Sequence, residues 1–420
     1  MGALDASLER KLAGLSLPLR VVLPGGQRLG PEQAAVTLHL KDYAGLAALA
    51  AGQVGQVGEA YVEGRVDIDG SPRDLAAVTA QLIGTDPTRP QSGAPAWWRQ
   101  LWWQIRSHQR HLPEADARQV QQHYDVSDDF YALWLDPRRV YSCAYFRARG
   151  MGLAQAQEAK LDHICRKLML HEGERFLDVG AGWGALLIWA AGHYGVRAHG
   201  ITLSRNQFAH VQRLIDERGL RGRVTIELRD YRELPEDEPW DKIASVGMFE
   251  HVGLAQLPAY FATIRRLLRP GGLLLNHGIT AAAPRHDQLG AGLGDFIERY
   301  IFPGGELLHA SKVLEVMADQ GLEALDVENL RPHYARTLWA WSDGLEANLE
   351  AARRIAGERV LRAFRLYLGG SALSFERGWI SLHQMLAARP DGDPAGGALR
   401  GAQSAYPFNR GYMYPAARDA

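Results

Sequence analysis

The sequence predicts an α/β protein: a doubly wound parallel sheet preceded by a small α+β unit. Three observations predict it. From Ser107 to about Ala388, short apolar runs alternate with helical stretches, as buried parallel strands and their crossover helices do. One such run, Phe176–Val179, ends in a turn carrying Gly180, Gly182 and Gly184 that opens a helix. Ahead of these lies a unit with its own short strands and helices, set off by Gly84–Pro95, a stretch rich in Pro, Gly, Ser and Thr.

In the first unit, residues 1–85, Leu19–Leu23 and Ala35–Leu40 read as strands and Asp42–Ala51 as a helix. Gly58–Ile68 reads as a strand pair around a glycine turn, and Asp74–Ile83 as a helix. The unit carries no catalytic constellation, so it is expected to be a binding or dimerisation domain. Residues 86–116 form a linker and a tryptophan-rich helix. Trp97, Trp98, Trp102 and Trp103, with Arg99 and Arg106 close by, suit either a membrane–water interface or a helix packed under the next domain. Residues 117–388 hold the main domain. Its predicted strands are Phe176–Val179, Arg197–Thr202, Val224–Leu228, Lys242–Val246 and Gly272–His277, with helices at Ala185–Ala191, Ser204–Glu217 and Ala255–Leu268. Residues 389–420, rich in Gly, Pro and Ala, read as a flexible tail.

Composition narrows the function. A net charge of −1 over 420 residues gives no global field for nucleic acid. Two cysteines, Cys143 and Cys165, make no disulfide framework. No apolar run reaches the ~18–20 residues needed to span a bilayer, and the first residues lack the apolar core of a signal peptide. A cytoplasmic protein follows as the expectation.

The chemistry gathers at strand ends, where doubly wound sheets bind ligands. The G-x-G-x-G turn after Asp178 differs from the dinucleotide spacing and has no following lysine. It suits a nucleoside with an amino-acid tail, which points to S-adenosylmethionine and a methyltransferase. Thr202, Ser204 and Gln207 follow the second strand, where ribose and methionine tail would lie. Asp230 and Tyr231 follow the third, where a carboxylate can accept from the adenine amino group and a ring can cover the base. Glu250 and His251 follow the fourth strand and His277 ends the fifth, a carboxylate and an imidazole placed to handle protons. No further ligands at metal spacing accompany them, so no metal is expected.

HYDVSDDFY (His123–Tyr131) and YSCAYF (Tyr141–Phe146) resemble the opening signature of the cyclopropane fatty-acid synthase family. The likeness continues through LDVGAGWG, GITLS, RDYR, MFEHVG, Asn276–Ile279, Phe296–Leu307 and His333–Leu338, and spans about residues 117–388. The first unit resembles the extra small domain of the bacterial enzymes. The resemblance implies a Rossmann-like class I methyltransferase sheet. It implies that Tyr141, Ser142, Gly180, Gly182, Thr202, Gln207, Asp230 and Tyr231 bind S-adenosylmethionine. It also implies that Cys143, Glu250, His277, Ile279 and Tyr334 hold a bicarbonate ion beside the reacting carbon. One departure stands out: Ser371 occupies a position where the family often has cysteine.

The implied reaction transfers a methyl group to a cis double bond of a phospholipid acyl chain, leaving a carbocation. A weak base then removes a proton from the new methyl and a cyclopropane ring closes. Tyr300, Phe302, Trp339 and Trp341 are aromatic candidates for stabilising the cation. The same cation can leave as a methylene- or methyl-branched chain. Methylation of a soluble small molecule, and a lipid-binding protein with a degenerate methyltransferase domain, are the remaining alternatives. The expected partners are unsaturated phospholipid acyl chains, the inner face of the membrane as a peripheral contact, and a second copy in a homodimer.

Overall fold

The computed structural model describes residue 12 and residues 14–83, 127–284, 292–301, 306–391, 407 and 409–414. Alternation of inward and outward side chains builds the first sheet. In β1 (Leu19–Val22) Leu19 and Val21 face inward, and in β3 (Val36–Leu40) Val36, Leu38 and Leu40 do so. With β2 (Arg28–Leu29) and β4 (Val66–Asp69) they give the order β2-β1-β3-β4, in which β1 and β3 run parallel. Helices α1 (Ala44–Ala50), α2 (Val54–Val62) and α3 (Pro72–Ile83) pack on this sheet through Leu46, Leu49, Val57, Tyr61 and Val78.

Helix α2 corrects the expectation of a strand pair at Gly58–Ile68. Val57, Ala60 and Tyr61 are spaced three and four apart and lie on one buried face, so the helical period decides the segment. Only Val66–Ile68 is strand. Gly64, with φ of +76°, ends the helix, and the Arg65 N–H turns back to the Ala60 carbonyl.

The second unit begins with α4 (Asp128–Ala132), capped by Ser127, and α5 (Leu153–Lys167). Then come β5 (Arg175–Val179), α6 (Ala185–Tyr194), β6 (Arg197–Thr202), α7 (Arg205–Glu217), β7 (Val224–Leu228) and β8 (Trp240–Val246). Next are α8 (Gly253–Leu267), β9 (Leu268–Ala281), α9 (Leu293–Tyr300), β10 (Leu308–His309) and α10 (Ala310–Asp319). The unit closes with β11 (Glu323–Asn329), α11 (Arg331–Glu346), α12 (Leu349–Glu376) and β12 (Ile380–Ala388). The main strand order is β11-β12-β9-β8-β5-β6-β7, and β10 adds a short pairing to β9. Strands β5 to β9 are mutually parallel, whereas β12 is antiparallel to both its neighbours.

This is the doubly wound sheet that the glycine turn and the strand–helix alternation predict. Strands β11 and β12 were not foreseen. Strand β9 also runs past His277, so Ile279 lies inside it and pairs with Leu382.

The two units meet where α2 and α3 lie against α9 and α12. Gly55 touches Gly292 backbone to backbone, an approach that any side chain at 55 would block. Arg362 bonds the carbonyls of Tyr61 and Val66 and pairs with Asp67 at 2.8 Å, while Arg299 pairs with Glu59 and Arg359 with Glu63. An apolar seam is thus rimmed by ion pairs.

The tail reading does not extend to residues 409–414. Met413 is buried against the sheet's core and its carbonyl meets His163 Nδ1 at 3.1 Å, while Arg410 pairs with Asp326. An apolar methionine flanked by Tyr412 supplies enough burial to anchor the chain there. The tryptophan-rich Trp97–Arg106 segment, residues 123–126 of the opening signature and residues 302–305 lie outside the described residues. Among the described residues, no helix is long and apolar enough to cross a membrane.

Candidate active site

The carboxyl ends of β5, β6 and β7 enclose a cavity of about 180 Å³. Gly180 and Gly182 form its floor with φ of +79° and +55°, left-handed values that let bare backbone face a ligand. Asp178, Thr202, Gln207, Asp230 and Tyr231 line it, as do Tyr141 and Ser142 from the loop before α5. The Thr202 hydroxyl donates to Gln207 Oε1 at 2.8 Å, which fixes both side chains on the wall. Asp230 accepts from the Arg232 N–H and guanidinium at 2.6–2.9 Å, which orients its carboxylate. Asp178 is buried, its carboxyl is pushed up to about 7 by desolvation, and its Oδ1 has no partner among the described residues.

Two residues expected at this cavity stand behind it. Ser204 caps α7 by accepting from the Gln207 N–H, and it does not line the cavity. Gly184 opens α6, where a Cβ would meet Val211 at 2.8 Å, so its role is helix packing.

Helix α5 holds the Tyr141–Cys143 loop from below. Gln157 donates to the carbonyls of Val140 and Ser142, and Lys160 donates to Ser142 Oγ at 2.9 Å. Asp136 accepts from the backbone N–H groups of Arg138 and Val140. Burial pushes the Lys160 ammonium down to about 8. Lys160, Gln157 and Asp136 were missed in the sequence. Their only signal is a polar or charged residue on an otherwise apolar helix face or turn, which spacing alone does not separate from a surface position.

A second cavity, of about 340 Å³, opens beside the first, and Tyr141, Ser142, Gly247 and His251 line both. Glu250, His277, Ile279, Cys143 and Tyr334 all line the larger one. Glu250 sits in a 3-10 turn after β8, and its Oε1 accepts from the Ile279 N–H of β9 at 2.6 Å. Its Oε2 is buried without a partner among the described residues, and desolvation pushes the carboxyl up to about 7. His277 accepts on Nδ1 from the Gln384 amide of β12 at 3.1 Å. Its neutral ring therefore carries the proton on Nε2, which also lacks a partner. Burial, with Lys160 and Lys167 nearby, holds the imidazole well below its usual range, so it stays neutral. Cys143 is fully buried and its thiol is pushed up by desolvation, so it remains a thiol and serves as wall.

Gly278, between His277 and Ile279, makes this approach possible. A Cβ there would lie 2.2 Å from the Phe249 ring and 2.8 Å from Glu250 Oε1. An acceptor on Glu250 and a donor on His277, both orphaned and both on residues lining one apolar cavity, fit a small anion bearing a hydroxyl. Among the described residues, no cluster of His, Cys, Asp and Glu could hold a metal ion.

The aromatic expectations are revised. Trp341 is buried behind Tyr141 and Tyr334, Trp339 donates to Glu376, and the Tyr300 hydroxyl donates to Glu63. None of the three lines the cavity, and Phe302 lies outside the described residues. Rings of Tyr141, Tyr334, Tyr367, Phe375 and Trp379 line it instead, together with Ser371 from α12.

Residues 111–385 match the family model for mycolic acid cyclopropane synthetase. The chain belongs to this cyclopropane synthetase family. The Probable fatty acid methyltransferase of Pseudomonas putida is 43% identical over 92% of this chain and 96% of its own length. Cyclopropane mycolic acid synthase 1 of Mycobacterium tuberculosis is 41% identical over 63% of this chain and 94% of its own. Among solved structures, cyclopropane synthase MmaA2 from Mycobacterium tuberculosis superposes with a TM-score of 0.62 at 38% identity, covering 65% of this chain and 98% of that one. The mycolic acid cyclopropane synthase CmaA1, solved with SAH and CTAB, gives 0.61 at 39% identity, with the same coverage of each chain. This member of the family is thus an S-adenosylmethionine-dependent methyltransferase built on the class I sheet.

Proposed function

We propose that the enzyme converts a cis double bond in a phospholipid acyl chain into a cyclopropane ring, with S-adenosylmethionine in the smaller cavity and bicarbonate between Glu250 and His277. One observation carries the reading: the orphaned Glu250 Oε2 and His277 Nε2 belong to residues lining an apolar cavity that joins the glycine-turn cavity at Tyr141 and Gly247. CmaA1 with SAH supports the cofactor half.

When bound, S-adenosylmethionine supplies an electrophilic methyl group and bicarbonate a weak base, which suffices because a methyl beside a carbocation is acidic. Gly180 and Gly182 give the nucleoside an open backbone, and Asp230 offers an acceptor beside the Tyr231 ring. Glu250, ionised, accepts a hydrogen bond from the base's hydroxyl, and His277 donates from the other side, so the base is oriented without competing for its proton. Tyr334, Tyr141 and Phe375 line the cavity and would supply aromatic groups to stabilise the developing cation, and the apolar walls would keep out water that would trap it. Acyl lipid is favoured over a soluble amine because the larger cavity is lined mainly by apolar side chains. The Trp97–Arg106 segment suits the membrane contact that such a substrate requires.

A methylene-branched product, or a methyl-branched one where a hydride donor quenches the cation, is the second reading, favoured by the Pseudomonas putida relative, a Probable fatty acid methyltransferase. The test is proton NMR of lipids after incubating the protein with S-adenosylmethionine and vesicles of oleoyl phospholipid. Upfield ring protons are expected. Vinylic methylene signals, or branched methyl signals once a hydride donor is added, would establish the second reading, and unmodified lipid would overturn both.

A further inference from the structure

We propose that the small amino-terminal unit receives the methyl end of the acyl chain in its own core and sets how long a chain the enzyme accepts beyond the double bond. The proposal rests on the acyl-chain reading above. The larger cavity does not end at the domain seam. It continues from Glu250 and His277 to Leu19, Leu38, Leu49 and Val78, which form the sheet and helix faces of the small unit.

Charge is distributed unevenly along this path. Among the described residues, every charged or imidazole side chain lining it comes from the large unit, and the small unit contributes only apolar groups, backbone and the hydroxyls of Tyr61 and Thr79. Tyr61's hydroxyl is engaged, accepting from Arg365 at 2.9 Å, and Arg365 is neutralised by Glu346 at 2.6 and 2.8 Å. A headgroup would lose its hydration there without a partner, whereas a terminal alkyl segment loses nothing. The seam is built for close passage: α2 carries glycine at 55, against Gly292, and at 58, beside Phe296 and Leu366. The family model for mycolic acid cyclopropane synthetase begins at residue 111, after the small unit, and the mycolic acid synthases match about two thirds of this chain and nearly all of their own.

Each methylene seated in an apolar pocket is worth about fourfold in affinity. The experiment is a competition among myristoleoyl, palmitoleoyl and oleoyl phospholipids in mixed vesicles. Their cis double bonds lie at the same distance from the carboxyl and differ only in the methylenes beyond it. Val78→Phe, which fills the floor, should leave kcat/KM for the shortest chain nearly unchanged and lower it for oleoyl by about tenfold or more. Leu49→Ala, which enlarges the floor, should shift preference toward the longest chain, and it carries the test if Val78→Phe fails to fold. A chain-length profile identical to that of the unsubstituted enzyme in a folded variant, or an equal loss at every length, would overturn the proposal while leaving the reaction intact. Absence of methyl transfer to any of the three lipids by the unsubstituted enzyme would instead overturn the acyl-chain reading.

Discussion

The two cavities that share Tyr141 and Gly247 are built in opposite ways. The smaller takes its functional groups mostly from short contiguous motifs at three neighbouring strand ends, and local hydrogen bonds fix them: Thr202 to Gln207, and Asp230 to Arg232. The larger draws on both units, from β1 near the start of the chain to β12 near its end, and Glu250 Oε2 and His277 Nε2 have no partner among the described residues. Local motifs can preorganise a ligand that always looks the same. On the proposed reading, a water-free chamber for an alkyl chain needs walls from many segments, and Glu250 Oε2 and His277 Nε2 would find their partner in the anion that they fit.

If that division holds, each half breaks separately. Glu250→Gln should have the largest effect on turnover, a loss of about a thousandfold, with affinity for S-adenosylhomocysteine by calorimetry within about twofold of the original. Gly180→Val should do the reverse. It forces a β-branched side chain into a left-handed backbone against Met248, and affinity for the same ligand should fall by about a hundredfold. Gly278→Ala sharpens the comparison. Its methyl would push Glu250 and Phe249 aside, so turnover should fall by tens of fold while cofactor affinity holds.

The smallest effect is on stability and runs opposite to activity. Burial raises the Glu250 carboxyl from its ordinary 4.5 to about 7, so between those values the folded state binds more protons than the unfolded one. The stability tied to Glu250 is therefore present below 4.5 and lost as pH rises through 7. Glu250→Gln should melt a few degrees higher than the unsubstituted enzyme at pH 8, with little difference at pH 4.5, by scanning calorimetry. Turnover of the unsubstituted enzyme should rise with pH through about 7, as Glu250 ionises.

The same contrast governs what the sequence discloses. Strands β5 to β8, the glycine turn and residues such as Thr202, Gln207, Asp230 and Glu250 are legible because each sits on a short motif whose local geometry needs it. In the sequence Ser204 is indistinguishable from a ligand, since a helix cap and a ribose contact ask for the same hydroxyl at the same strand end. Gly278 was legible only as part of a motif; its reason is the Phe249 ring from another strand end. Gln384 and the continuity of the larger cavity into the small unit depend on packing between segments more than a hundred residues apart, and Lys160 on a contact with Ser142, eighteen residues before it, across a loop; no local pattern encodes either. Helix α2 was missed for a simpler reason: within Gly58–Ile68, alternation and helical periodicity compete, and burial against the first sheet decides.

The central claim is that Glu250 and His277 hold a small anionic base. Turnover measured at a fixed pH of 8 in buffer stripped of carbon dioxide, then with bicarbonate restored, tests it most directly. The account predicts that turnover falls by at least about tenfold on depletion and returns on addition, with S-adenosylhomocysteine affinity unchanged throughout. Turnover indifferent to bicarbonate would contradict it, and the proton would then have to leave to Glu250 itself.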